Sequence, residues 1–119
     1  MRILFVVMLV INFLMETLAA ATLIAGPGGI PAAGTGEQWS MHYGFAALAI
    51  ASISLWIWPR RNDAGAVATV LGVLLVFHTG IAVSLATAGD QMGGMVMHTV
   101  VAAMCLALFF QRARVTAPA

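Results

Sequence analysis

The sequence predicts an all-α integral membrane protein, an up-down bundle of four spanning helices, and three observations predict it. The first is composition: 62% of the 119 residues are hydrophobic and 8% charged, with a mean hydropathy of +1.03. A soluble domain carries about 25% charged residues, and a water-facing surface of this size needs more polar side chains than this chain owns. A bilayer removes the conflict. The second is four apolar stretches, each near the roughly 20 residues a helix needs to cross the hydrocarbon core. The third is that every arginine falls at what would be one end of such a bundle. The length predicts a single domain, residues 1–119, without a separate soluble module.

The first span is expected over about residues 3–24, interrupted only by Asn12, Glu16 and two threonines. The second is expected over 39–58, the third over 65–87 and the fourth over 92–111. Between the first two, Gly26-Pro27-Gly28-Gly29-Ile30-Pro31, followed by Gly34-Thr35-Gly36, cannot continue a helix and reads as an irregular loop. Trp58-Pro59-Arg60-Arg61-Asn62-Asp63 reads as a short turn and Ala88-Gly89-Asp90-Gln91 as a shorter one. Helices are the spanning form because each segment must satisfy its own backbone in lipid. Short connections make consecutive helices antiparallel neighbours.

Arg2 precedes the first span, Arg60 and Arg61 follow the second, and Arg112 and Arg114 follow the fourth. In an up-down bundle these lie on one side, so the positive-inside rule predicts both termini in the cytoplasm of a bacterial-type inner membrane. The outer connections then carry only Glu37 and Asp90 as charges, and Trp39, Trp56 and Trp58 fall near span ends, where indole rings favour the interface. Arg2, the apolar run and Ala19-Ala20-Ala21 also resemble a cleavable signal peptide. The run is longer than a typical signal core, so a retained helix is expected. Cleavage would leave the other three orientations unchanged.

The expected partners are the bilayer and, through the small-residue stripe Gly80, Ser84 and Ala88, a packing seam within the bundle or a homo-oligomeric or partner-subunit interface. No nucleic-acid partner is expected: the chain has no lysine and no basic run, and its formal net charge is +1. The single cysteine, Cys105, sits in an apolar run and permits neither an internal disulfide nor a CxxC site.

Polar groups inside the hydrocarbon are costly and mark candidate sites. At 1.5 Å per residue, Glu16 and His78 each lie roughly 13 Å below the outer surface, His98 roughly 9 Å, and His42 close to the interface. Asn12 is one turn deeper than Glu16 on the same face. Every ionisable side chain within the spans therefore falls in the outer half. A bare carboxylate there protonates or finds a partner: Glu16 is either a structural hydrogen-bond donor or a proton carrier, metal ligand or substrate anchor. Each histidine is either a neutral imidazole bonding across the bundle, worth about 0.6 kcal/mol, or a ligand. His78 and His98, on sequential antiparallel helices, suit a b-type haem held from both sides or a metal ion shared with Glu16. Gly94, His98, Ala102 and Cys105 share one helical face, where small residues clear space or let helices approach. Thioether and imidazole together suit Cu(I), but of the nearby methionines only Met95 shares the face of His98. His42, Met95 and Cys105 are accordingly minor candidates.

His42-Tyr43-Gly44-Phe45-Ala46-Ala47-Leu48-Ala49 and Trp58-Pro59-Arg60, set in this order of spans and loops, resemble the small bacterial DoxX-like membrane proteins. The likeness covers the whole chain in outline. Glu16-Thr17-Leu18-Ala19 stands where that family's first helix ends in a Gly-x-x-Lys pattern, a departure that affects the first helix. The resemblance implies a four-helix membrane fold and inclines the function toward quinone-linked oxidation. The expected function is thus a small inner-membrane bundle binding a quinone, haem or other apolar or redox ligand among Asn12, Glu16, His78 and His98. The alternatives are a proton-coupled transporter or channel subunit using Glu16, and a structural subunit without its own site. Whether the chain is an enzyme stays open.

Overall fold

The computed structural model describes residues 1–25, 36–89 and 91–117, and they form helices with no strand among them. In order these are α1 (Arg2–Ala25), α2 (Gly36–Trp56), a single 3-10 turn (Trp58–Arg60), α3 (Ala64–Ala88), α4 (Met92–Phe110) and a short α5 (Arg112–Thr116). Among the described residues, three helices are long and apolar enough to cross a membrane: α1 over Arg2–Ile24, α3 and α4. Helix α2 matches them in length with 21 residues but carries Ser40, His42, Tyr43, Ser52 and Ser54, which lower its hydropathy. The irregular loop expected from Gly26 onward, the charge Asp90 and the side chain of Glu37 lie outside the described residues.

Two boundaries differ from expectation for local reasons. The second helix ends at Trp56, because Pro59 disfavours helical geometry at Trp58 before it and takes the first turn of the 3-10 segment, where its missing N–H costs nothing. Beyond Phe110 the chain breaks at Gln111, whose N–H bonds back to the Ala107 and Leu108 carbonyls, and winds again as α5. That helix was not anticipated: its only buried residue is Val115, too faint a signal in RARVT.

The chain forms two compact units, Val10–Trp56 and Met1–Leu9 with Ile57–Ala119, and α1 contributes to both. In the first, α1 runs antiparallel to α2. The buried face of α2 is Ser40, Gly44, Ala47, Ala51 and Ser54, all small, at helical spacing. Small residues let two helix backbones approach closely, and at Gly44 they do: a Cβ there would lie 2.7 Å from Ile24 Cγ1, 3.1 Å from Leu23 Cβ and 3.3 Å from the Ala20 carbonyl oxygen. Side-chain hydrogen bonds close both ends of this seam. Ser40 Oγ donates to the Leu23 carbonyl at 3.3 Å, and Asn12 Nδ2 donates to Ser54 Oγ at 2.9 Å and to the Ile50 carbonyl at 3.1 Å.

In the second unit α3 and α4 pack as an antiparallel hairpin. Asp63 caps α3, its Oδ1 accepting from the Gly65 and Ala66 N–H groups at 2.8 and 3.1 Å. Gly89 ends α3 at φ 77, a left-handed conformation that glycine adopts without a Cβ penalty. The buried stripe of α3 is Val67, Leu71, Leu74 and His78, and that of α4 is Val101, Ala102, Cys105 and Leu108. Phe5, Met8 and Val115 are buried too. Gly80, Ser84 and Ala88 are exposed among the described residues, with nothing there within 4 Å of a Cβ at Gly80.

Candidate ligand site at a buried histidine pair

Helical spacing places His78 at the C-terminal end of the α3 stripe, one turn beyond Leu74, and His98 one turn before Ala102 on α4. The antiparallel hairpin brings the two together. His78 Nδ1 and His98 Nδ1 are 2.9 Å apart, with ring centroids 5.1 Å apart at 40°. His78 is 0% exposed, and His98 is half-buried. Phe77 stands edge-on to His78 at 5.3 Å and lies 6.3 Å from His98. Toward the start of α4, a Cβ added at Gly94 would lie 3.1 Å from Leu85 Cδ1, so the cleared space on this face of α4 is filled by α3.

At this distance the two Nδ1 atoms share one proton. A neutral imidazole carries one N–H and one bare nitrogen, so one ring donates from Nδ1 and the other accepts with its own proton on Nε2. The pair accommodates a single proton between the facing nitrogens, since two would put N–H against N–H.

The spacing discriminates among occupants. Two histidines on opposite faces of a haem iron hold their ligand nitrogens about 4 Å apart with the porphyrin between them, whereas rings in mutual hydrogen bonding leave no slot for it. Two imidazole nitrogens on one tetrahedral ion, each at about 2.0–2.1 Å, sit about 3.3 Å apart. Opening the pair by about half an ångström would admit such an ion.

The remaining sequence candidates take up varied positions. Glu16, 1% exposed, lies on the buried face of α1 with Phe5, Met8, Asn12 and Ala20. The amide nitrogen of Asn12 uses both its hydrogens on α2 and so fastens α1 to that helix. His42 is exposed and meets Trp39 edge-on at 5.8 Å. Cys105 is buried, its Sγ 3.8 Å from Met8 Sδ. Met95 is half-buried and its carbonyl accepts from Thr99 Oγ1 at 2.8 Å. Sequence reasoning passed over Phe77, Met8 and Ser54. Phe77 adjoins a candidate histidine, and Ser54 falls on the small-residue face of α2, but neither reveals its partner without the helix packing. No protein family, characterised protein or solved structure matches this chain, so its site is read from its own geometry.

Proposed function

We propose that this chain is an integral membrane protein of four spanning helices, set up-down in a bacterial-type inner membrane with both termini cytoplasmic, that binds a transition-metal ion between His78 and His98 in the outer half of the bilayer, with Glu16 as a third ligand. The observation that carries the reading is the 2.9 Å approach of two imidazole nitrogens within a buried apolar stripe. Two neutral imidazoles and one carboxylate suit Zn(II) or Fe(II) and leave coordination positions open to an outside ligand, the arrangement of a working rather than a structural centre. This keeps the expected redox or transport role and replaces the haem by a bare ion.

The part of Glu16 rests on the sequence: counting residues along the first and third spans gives its carboxyl and His78 the same expected depth, and an intramembrane carboxylate is a functional candidate by default.

The test is metal content and affinity of the purified full chain, by elemental analysis and by chelator competition with Zn(II) and Fe(II). One ion per chain is expected. His78→Ala and His98→Ala should each weaken binding beyond the ~10–100-fold typical of an outer-shell change, and Glu16→Gln at least about tenfold by the same scale. A folded chain that binds neither ion overturns the reading and leaves the pair a structural hydrogen bond. Undiminished affinity in Glu16→Gln would remove Glu16 from the ligand set, and proton-dependent uptake abolished in that variant would favour the transporter.

A further inference from the structure

The unit built from residues 1–9 and 57 onward holds all five arginines of the chain, and Asp63 is the only acidic side chain among its described residues. They gather at one end of the α3–α4 hairpin. Arg2 is held beside the turn by Asn62; Arg60 and Arg61 lie in that turn; α5 carries Arg112 and Arg114 and packs on α3 through the buried Val115. The Asp63 carboxylate is engaged by the first N–H groups of α3. Two guanidinium groups are pre-oriented. Arg61 lies over the Trp58 ring at 4.7 Å and donates one N–H to the Trp58 carbonyl at 2.8 Å. Arg112 lies over the Phe109 ring at 5.1 Å and donates to the Phe109 carbonyl at 2.9 Å. A guanidinium has five N–H donors, so four remain on each. The same end exposes Trp58, Leu106 and Phe110, which offer apolar surface beside the charges.

We propose that this end of the hairpin is a binding site for the phosphodiester head group of an anionic phospholipid, bridged by Arg60 and Arg61 in the turn and by Arg112 and Arg114 on α5, with acyl chains along Leu106 and Phe110. The planar fork of arginine matches phosphate oxygens in pairs, and stacking on an aromatic ring lowers the entropy lost when the fork closes. The inference rests on the membrane reading but not on the metal, because no residue is shared with the histidine pair.

The test uses the full chain in detergent, observed by native mass spectrometry with phosphatidylglycerol, phosphatidylcholine of the same acyl chains, or inorganic phosphate. Retention of phosphatidylglycerol over phosphatidylcholine is expected. Each arginine near an anionic surface contributes on the order of fivefold, so Arg60→Gln with Arg61→Gln, or Arg112→Gln with Arg114→Gln, should lower that preference roughly 25-fold by the same scale. Arg60→Lys with Arg61→Lys, which keeps charge for membrane insertion but loses the fork, should lose several-fold. His78→Ala should bind lipid normally whatever its metal content. Equal retention of the two lipids, or a preference unmoved by the glutamine and lysine variants alike, overturns the proposal. Displacement by millimolar phosphate would assign the site to a free anion and overturn the lipid.

Discussion

At Gly44 a single hydrogen separates a close helix pair from a collision. The nearest atoms to an added Cβ belong to a β-branched side chain, a Cβ fixed by its own backbone, and a carbonyl oxygen, so none yields without moving α1. Gly44→Ala should therefore cost about 1–3 kcal/mol. Gly72→Ala and Gly80→Ala, with nothing within 4 Å, should lose no stability by packing. Thermal unfolding in detergent compares the three; equal midpoints would refute the close approach. Nothing in the sequence distinguished Gly44 from its neighbours, because its meaning lies in Ala20, Leu23 and Ile24 of another helix. The histidine pair was more legible. His78 and His98 stand out because polar groups in lipid are expensive, and counting residues put them at similar expected depth on consecutive helices, where their rings do meet. The sharing of one proton by two Nδ1 atoms was not legible, since counting gives depth and not rotation about the helix axis.

Among the elements, α1, α3 and α4 were read to within one residue at each end, and the ends of α3 show why. Helix α3 begins after Asp63 and stops at Gly89, residues whose local chemistry starts and ends helices. Helix α2 was misplaced by two or three residues because its end is set by a proline three positions on, and α5 escaped because one buried valine carries it. Asp63→Ala should destabilise the α3 terminus by about 1 kcal/mol, whereas Asp63→Asn, which keeps an acceptor oxygen, should restore most of the loss. Hydrogen exchange at Gly65 and Ala66 measures this locally; unchanged protection in Asp63→Ala would show that the cap is dispensable. The two N–H groups involved are among the four that every helix start leaves without an internal partner.

For the molecule as a whole, charge asymmetry is the strongest organising feature. With every arginine in one unit, the proposed orientation puts that end in the cytoplasm by the positive-inside rule. A reporter fused after Ala119 should be active only in its cytoplasmic form, and protease added to the periplasmic side should leave it intact. Cleavage from outside would reverse the proposed orientation and, with it, place the histidine pair nearer the cytoplasm. Introducing two arginines into the connection around Gly89 should compete with the native signal and yield mixed orientations, read by the same reporter. The long apolar helices were visible in the sequence, since so apolar a composition predicts membrane-length helical stretches, and three of the four expected are long and apolar enough to cross a membrane among the described residues.

The hydrogen bond between His78 and His98 also has a consequence in time. Each ring must present a bare Nδ1 before both can hold one ion, yet in the resting pair one Nδ1 keeps its proton. That proton cannot cross its own ring to Nε2 unaided, so a carrier must remove it and return it to the other nitrogen. Around a fully buried His78 such carriers visit seldom. Filling of the proposed site would then be governed by the rate of tautomer exchange and quickened by small diffusible acids and bases, while the final occupancy stayed the same.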